Sequence, residues 1–323
     1  MRRFQLTVFA CVCIATATFA AEPTQQYPTR PVRVIVPFAP GGGGDITARI
    51  ISGKLSERLK QQFVVDNRGG AGGLVGVELA VRAAPDGYTV LIASASFSAT
   101  SATHKPKFDP VNNITAVGEI GLAPFVLSVH PTVSVSSVEA LIALAKSSRD
   151  PLIYAIPGIG SITHLATELM MQMAGIRMTG VPYKGTGPAV VDVLSGQCQL
   201  ILGSLPPVQP HIQSGKLRAL GVTSAKRWYT IPQVPTIGET LRGYVVESWW
   251  GVMVPKGTPR EIVTTLNTTV NDVLREKDLL ARFDREGVVA TGGTPAYFDR
   301  RIRDEYTRWL EVVDRAKIKT GAE

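Results

Sequence analysis

Residues 32–45, with the sequence VRVIVPFAPGGGGD, constrain the fold of this chain more than any other stretch. The β-branched residues at 32–36 predict a buried strand. Four glycines follow at Gly41–Gly44, and Asp45 is the predicted N-cap of a helix. In the next residues, ITARIISGKLSERL, apolar side chains recur at helical spacing. A strand, a glycine loop and a helix in this order point backbone N–H groups at an anion.

The glycine loop matches neither of the two common nucleotide-binding loops. No Gly-Lys-Ser/Thr follows it, as a phosphate loop of the NTPase kind requires, and the glycine run meets half of the G-x-G-x-x-G spacing by accident. A flexible surface turn is the alternative interpretation. The strand before the loop and the helix after it favour a small anion site.

The N-terminus has the layout of a secretory signal peptide. Arg2 and Arg3 precede an apolar stretch at 6–14, and the small-residue segment ATATFAAE follows. We predict a signal peptide over residues 1–20, cleaved after Ala20. Cys11 makes a poor lipoprotein box, because the apolar core before it is too short. The apolar stretch is too short to span a bilayer, and no later segment is long enough. The sequence therefore predicts a soluble exported protein.

Composition narrows the class of partner. The 323 residues carry a net charge of +8 and are 45% hydrophobic, enough apolar content for one or two cores. Cleavage would leave Cys198 as the single cysteine, so no intramolecular disulfide is expected. Lysine and arginine form no basic run, and export removes nucleic acid as a partner. A mildly basic surface suits the collection of anionic solutes.

The chain alternates predicted strands and helices almost to its end, which is typical of an α/β fold with parallel sheets and helices on both faces. Its length predicts two lobes. We predict that residues 27–123 and 248–323 form lobe 1 and that residues 124–247 form lobe 2. The apolar stretches PFVLSVHP and YVVESWWGVMVP are the predicted crossings, and the C-terminal helices are expected to cover lobe 1.

The second lobe repeats the pattern of the first. Its strand LIYAIP ends at the loop GIGS, and a helix begins at Ile162–His164. Ligands of open α/β sheets bind beyond the carboxyl ends of the strands, so two lobes facing each other would point two helix N-termini at one cleft. A carboxylate fits each terminus, at roughly 0.5–2 kcal/mol. Neither loop contains arginine or lysine, so neutral donors are expected to hold the anion.

Six segments of the chain resemble those of a known family. The segments VRVIVPFAPGGGGDITARIISGKLSERL, APDGYTVLIAS, GIGSITHLATELM, VPYKGTGPAVVDVLSGQ, HIQSGKLRALGVTSAKR and VPKGTPREIVTTLN are similar to those of the solute receptors of tripartite tricarboxylate transporters, the Bug proteins. The resemblance implies a type II periplasmic binding-protein fold, with two α/β lobes, a hinge and an interlobe ligand cleft. It implies a periplasmic receptor, not an enzyme, that binds a small organic acid without metal or cofactor. The first loop would grip a carboxylate, often through ordered waters.

The resemblance also implies partners, namely a large and a small integral membrane subunit of the transporter, although many such receptors are encoded without them. A monomer is expected, with no nucleic-acid partner. The predicted ligand-binding residues are Phe38, Ala39, Pro40, Gly42, Gly43 and Asp45 in the first loop, Ser94, Ser96 and Phe97 after the next strand, and Gly160, Ser161, Thr163, His164, Tyr183, Gly203 and Ser204 in lobe 2.

One segment departs from the family pattern. Where relatives commonly read G-Q-V-D-x-x-F-D-N/S, this chain has GQCQLILGS, so Gln199 and Gly203 replace two aspartates. The loss of charge at Gly203, predicted at the cleft mouth, would admit a larger or more anionic ligand; the alternative is a harmless change in a variable pocket. An aromatic ligand would stack on Phe38 or Phe97, unless these rings belong to the core.

Several side chains have rival interpretations. His164 and Glu168 have a helical spacing that could hold a metal, but one histidine and one carboxylate are a weak signal. Ser161 beside His164 suggests nucleophilic catalysis less well than it suggests anion donors. Lys184 is either a partner for a ligand carboxylate or a solvated lysine, and the Trp249–Trp250 pair is predicted to pack against the hinge.

The leading hypothesis for the function of the chain is a solute receptor. The alternatives are an exported hydrolase or transferase acting on a carboxylic acid, and a sensor subunit with a signalling partner.

Overall fold

The computed structural model describes residues 27–104 and 106–316. The predicted signal peptide and Cys11 lie outside these residues. The strands are β1 (Val32–Val36), β2 (Phe63–Asn67), β3 (Thr89–Ser94), β4 (Ile114–Leu122), β5 (Phe125–Val129), β6 (Ile153–Ile156), β7 (Thr179–Pro182), β8 (Leu200–Ser204), β9 (Arg218–Val222), β10 (Trp250–Pro255) and β11 (Val289–Ala290). The helices are α1 (Gly43–Leu59), α2 (Leu74–Val81), α3 (Ser96–His104), α4 (Val138–Ser147), α5 (Ile162–Ala174), α6 (Thr186–Leu194), α7 (Leu205–Gln213), α8 (Ile237–Thr240), α9 (Arg260–Val273), α10 (Lys277–Arg285) and α11 (Pro295–Ala316).

Within the described ranges these strands form two sheets. The first has the order β11-β4-β10-β3-β1-β2 and the second the order β7-β6-β8-β5-β9. Sheet positions follow the hydrophobic pattern: Val34, Ile35 and Val36 of β1 are fully buried, since both faces of the sheet are covered by helices. The predicted two-lobe α/β fold is confirmed.

The prediction that both sheets are parallel is wrong, because each sheet is mixed. Strand β1 runs parallel to β2 and β3, whereas β10 runs antiparallel to β3 and β4. Strand β5 is likewise antiparallel to β8 and β9. The strands β5 and β10 each follow a crossing between the sheets, whereas the two-residue β11, which is antiparallel to β4, does not. The chain enters each sheet where the neighbouring strands end, as the pairing of Phe125 with Ser204 and of Trp250 with Ser94 shows, so the entering strand runs in the opposite direction.

The two crossings lie close to the predicted lobe boundaries, which remain a prediction. Strand β4 ends at Leu122 and β5 begins at Phe125. On the return path Val246 still donates a backbone hydrogen bond to Thr223, after β9. The buried Trp249 packs edge-on against Phe298 of α11, with ring centroids 5.1 Å apart. Helix α11 contacts α3 and β4, so the C-terminal helix covers the first sheet.

No helix between residues 27 and 316, with residue 105 left aside, is long and apolar enough to cross a membrane.

Candidate ligand-binding site

The carboxyl ends of the strands of both sheets enclose a cavity of about 50 Å³, called here the inner cavity. Its lobe 1 wall comes from Phe38, Gly42–Gly44, Ser94, Ser96, Ser248 and Trp250. Its lobe 2 wall comes from Phe125, Pro157, Ser161, Thr163, Thr186 and Ser204. None of these side chains carries a charge, so the wall offers only neutral hydrogen-bonding groups and apolar surface.

Five helices begin at the inner cavity. Gly43 and Ser96 are the first residues of α1 and α3 in lobe 1. Ser161 and Ser204 are the N-caps of α5 and α7 in lobe 2, and Thr186 is the first residue of α6. The first backbone N–H groups of a helix have no intrahelical acceptor and carry a partial positive charge. Four of these ends, those of α1, α3, α5 and α6, present such groups and make the small space favourable for an anion. The end of α7 does not, because the Leu205 N–H bonds to the Pro124 carbonyl and the next two residues are prolines, which have no N–H.

The hydroxyl groups of the wall add further donors. Four of them, on Ser94, Thr186, Ser204 and Ser248, have no hydrogen-bond partner among the described residues, and neither has the indole N–H of Trp250. Ser161 Oγ and Thr163 Oγ1 lie 3.0 Å apart and are mutually bonded. Because these groups line the cavity and are available to donate, they favour a ligand with several acceptor oxygens.

The prediction that Asp45 is the N-cap of α1 is wrong. Gly42 is the N-cap, and Asp45 lies in the first turn, where its carboxylate accepts the Gly41 N–H at 3.0 Å. The same carboxylate accepts a bond from Asn67 Nδ2 at 3.0 Å and forms an ion pair with Arg49. Burial acts to raise the pKa of Asp45, but these bonds outweigh it and lower the pKa. Asp45 therefore faces away from the inner cavity and holds the glycine loop in shape.

At Gly43 the loop passes close to a side chain of lobe 2. A Cβ atom at Gly43 would lie 2.8 Å from Ser204 Oγ and 2.8 Å from Trp250 Cζ2. Contacts this short do not occur for real Cβ atoms, so only glycine fits between the two side chains. The backbone of Gly43 does not have a positive φ, in contrast to Gly41 with φ +81°. Space, and not backbone conformation, requires a glycine at 43.

A second cavity of about 220 Å³, called here the outer cavity, adjoins the first. It is lined by Phe38, the loop Gly70–Gly73, the loop Pro157–Ile159 and the segment Pro182–Lys184. The hydroxyl of Tyr183 donates to Asp192 at 2.5 Å, so only its ring faces the cavity. Burial and this bond raise the pKa of Tyr183 far above its usual range. Lys184 is exposed and is the one charged residue of the outer cavity wall.

Seven predicted site residues line neither cavity: Ala39, Pro40, Asp45, Phe97, Gly160, His164 and Gly203. The backbone N–H of Ala39 donates to the Lys184 carbonyl across the lobes at 2.9 Å, and the Pro40 carbonyl lies against Gly187. Both residues belong to the interface at which the two lobes meet. A Cβ at Gly203 would meet Val208 and Thr186 at 3.2 and 3.3 Å, so position 203 faces a helix contact and not the predicted cleft mouth.

The predicted cleft-facing loop after β3 is instead the helix α3. Phe97 is 4% exposed and belongs to the lobe 1 core, which excludes the predicted stacking of a ligand on its ring. Ser96 remains at the inner cavity because it is the first residue of α3. Serine and threonine have low helix propensity, but packing against α11 and α5 favours the helix here.

His164 is engaged on both ring nitrogens. Nδ1 accepts the Gly160 N–H at 3.1 Å, and Nε2 lies 3.6 Å from Glu168 Oε1. The nearby His164 ring, together with a hydrogen bond from Tyr154 at 2.8 Å, lowers the pKa of Glu168 against the opposing effect of burial. Ser161 Oγ accepts the backbone N–H of His164 at 3.4 Å and does not face the imidazole. Among the described residues, no three His, Cys, Asp or Glu side chains form a group that could hold a metal ion.

Part of the inner cavity wall was not predicted from the sequence. Trp250, assigned to the hinge, lines the inner cavity because β10 begins at the cleft. Thr186 follows the strand β7 and a glycine-containing turn, the same order that predicted the other two loops, so that pattern could have identified it. Gln199 lies elsewhere: its Oε1 accepts the Ile153 N–H at 2.5 Å and joins the chain ahead of β8 to β6.

A two-lobe α/β fold with a closed cleft of uncharged donors defines a periplasmic binding protein. Residues 47–318 match the family model of the tripartite tricarboxylate transporter family receptor. The chain is 38% identical to Protein BugT of Bordetella pertussis over 326 residues, covering 99% of this chain and 100% of BugT. The chain therefore belongs to this receptor family, as the sequence motifs predicted; the family consists of periplasmic solute receptors and not of enzymes.

Two solved structures of relatives contain organic acids. R. palustris Rpa4515 with adipate has a TM-score of 0.87 and 38% identity, covering 90% of this chain and 99% of its own. MatC (Rpa3494) from Rhodopseudomonas palustris with bound malate has a TM-score of 0.85 and 30% identity, covering 89% and 100%. Both are similar to this chain over almost the whole of the two lobes.

Proposed function

We propose that this chain is a periplasmic receptor that captures a small organic acid in the inner cavity and delivers it to a tripartite tricarboxylate-type transporter. The observation that carries the proposal is the convergence of four helix N-termini that present backbone N–H groups, those of α1, α3, α5 and α6, on a cavity without charged side chains. A carboxylate is the anion that such neutral donors can hold without a counter-ion. The acids bound by the relatives, adipate and malate, support this class of ligand.

The proposed carboxylate contacts are the first N–H groups of α1 and the hydroxyls of the lobe 2 helix ends, Ser161, Thr163, Thr186 and Ser204. Ser94, Ser96 and Ser248 supply hydroxyls from lobe 1. The other predicted residues act indirectly in this proposal. Ala39 and Pro40 hold the lobes together, Asp45 shapes the loop, and the His164 ring orients Gly160.

Closure of the lobes supplies the binding geometry. Further hydrogen bonds cross between them, among them Ile162 N–H to Ser96 Oγ at 3.4 Å, Trp228 Nε1–H to the Gly287 carbonyl at 2.8 Å, and Gln209 Nε2–H to the Arg285 carbonyl at 2.7 Å. Contacts on both sides of the cleft form only when the lobes meet. A ligand that bridges the lobes shifts the population toward this closed state.

A receptor without catalytic activity accounts for the site better than a hydrolase or transferase. Ser161 has no imidazole base, because both ring nitrogens of His164 are engaged by other groups. The proposal includes export by the predicted signal peptide at residues 1–20, a monomeric receptor, large and small membrane subunits as partners, and no nucleic acid. The lobe division at 123/124 and 247/248 belongs to the same proposal and is supported by the sheet order.

The experiment is a thermal-shift screen of the mature protein with dicarboxylates, tricarboxylates, acidic amino acids and aromatic acids, followed by calorimetry on the acids that stabilise it. We expect at least one acid to bind with 1:1 stoichiometry. Mass spectrometry of the recovered ligand should find it chemically unchanged. Conversion of the acid would support the hydrolase or transferase alternative, and no binding across the panel would contradict the proposal.

A further inference from the structure

Two side chains, Phe38 of lobe 1 and Pro157 of lobe 2, line both the inner and the outer cavity. No other residue of the described ranges belongs to both walls. The two side chains therefore form the boundary between the cavities, and a molecule that occupies both must pass between them. We call this pair the partition.

Two glycines leave room for the Phe38 ring. A Cβ atom at Gly73 would lie 3.1 Å from Phe38 Cζ, and one at Gly158 would lie 3.4 Å from Phe38 Cε1. The ring thus occupies a slot between a glycine of lobe 1 and a glycine of lobe 2. The Phe38 carbonyl accepts a bond from Asn67 Nδ2 at 3.0 Å. The two glycines and the bonded carbonyl together give the ring a defined position in the closed protein.

The size of the inner cavity decides which atoms of a ligand meet the partition. One water position requires roughly 10–15 Å³ of such volume, so a cavity of about 50 Å³ holds about four non-hydrogen atoms. A carboxylate and its α-carbon account for these four atoms. The third carbon of the acid then lies at the partition, and the remainder extends into the larger outer cavity toward Lys184.

We infer that Phe38 is a specificity-determining residue that selects acids unbranched at the third carbon. This inference rests on the proposed function, because it places the carboxylate in the inner cavity. We expect a methylene group to pass between the ring and the proline, and a carbon bearing two methyl groups to overlap the ring. Overpacking of this kind cannot relax in a closely packed interior.

The test compares matched acids by calorimetry: glutarate with 3,3-dimethylglutarate, and butanoate with 3,3-dimethylbutanoate. The wild-type protein should bind the unbranched member of a pair at least about tenfold more tightly, the discrimination expected for one or two methyl groups in a fitted apolar site. Phe38→Ala removes the ring and should bring the two affinities within about threefold of each other. Phe38→Leu should give an intermediate ratio. Tyr229→Ala, which removes an exposed aromatic ring outside both cavity walls, should keep the wild-type ratio.

The ratio of affinities separates specificity from a general structural role. If Phe38→Ala weakens both members of a pair by the same factor, Phe38 only stabilises the closed protein and the inference is wrong. Equal affinities in the wild type would also refute it. If the wild type binds none of the four acids, the inference fails, and the broader acid screen decides separately whether the proposed function survives. Thermal unfolding of both variants at Phe38 confirms that they fold.

Discussion

Gly43→Ala tests the closed site with the smallest possible change. The added methyl group would lie 2.8 Å from Ser204 Oγ, across the cleft, and 2.8 Å from Trp250 Cζ2, in the same lobe. Alanine adopts the backbone conformation of Gly43 without strain, since its φ is not positive. The cost therefore comes from overpacking alone, about 1–3 kcal/mol for one added methyl group in a close-packed site.

The two contacts should affect two different quantities, the thermal stability and the ligand affinity. The contact with Trp250 is present whether the lobes are open or closed. Its part of the overpacking cost should therefore lower the thermal stability of the ligand-free protein. The Ser204 contact exists only with the lobes closed, so its share should lower affinity. We expect a loss of at least about 1.4 kcal/mol of binding free energy, which is tenfold in Kd, for the tightest-binding acid of the screen.

Gly53→Ala is the matched control on the same helix. A Cβ atom at Gly53 meets nothing within 4 Å, so the methyl group should leave the Kd unchanged. It should raise stability by about 0.5–1 kcal/mol, because alanine is favoured over glycine inside a helix. Calorimetry and thermal unfolding of both variants give the comparison. Wild-type affinity in Gly43→Ala would refute the account of the closed cleft.

Three other variants have expected outcomes. Lys184→Ala should change Kd less than Gly43→Ala does, because an exposed lysine contributes about 0–1 kcal/mol; calorimetry with the same acid checks this. Asp45→Asn should lower the free energy of unfolding in urea by roughly 1 kcal/mol at pH 7, because the carboxylate loses its charge toward the Gly41 N–H and Arg49; the same bonds lower the pKa of Asp45 in the folded protein. That contribution is present above the unfolded pKa of about 3.9 and is lost as the pH falls through the lower folded value, so the wild type and the variant should converge in strong acid. Arg301→Ala should lower the free energy of unfolding by about 3–5 kcal/mol, because it leaves the fully buried Glu119 without its ion-pair partner. Arg303→Ala on the same helix removes an exposed ion pair worth about 0.5 kcal/mol or less. An equal loss for both variants in urea denaturation would contradict this expectation.

The local pattern of the first loop was predictable, and the wall it faces was only partly so. The sequence at 32–59 carries a buried strand, a glycine run and an apolar stripe, which are short-range features. Strand direction was not predictable, because it depends on where β5 and β10 enter their sheets after crossing. The role of Trp250 follows from that same entry point. The direction of a side chain at 203 depends on packing against α6 and α7, which no local pattern encodes.

In the proposed function, neutral donors at helix N-termini hold a carboxylate between the lobes. A crystal structure of the mature protein with the tightest-binding acid of the screen tests it most directly. We expect one carboxylate in the inner cavity, within hydrogen-bond distance of the first N–H groups of α1 and of the hydroxyls at the start of α5, directly or through one ordered water. A carboxylate paired with Lys184 or another charged side chain, with no acid group in the inner cavity, would contradict the claim.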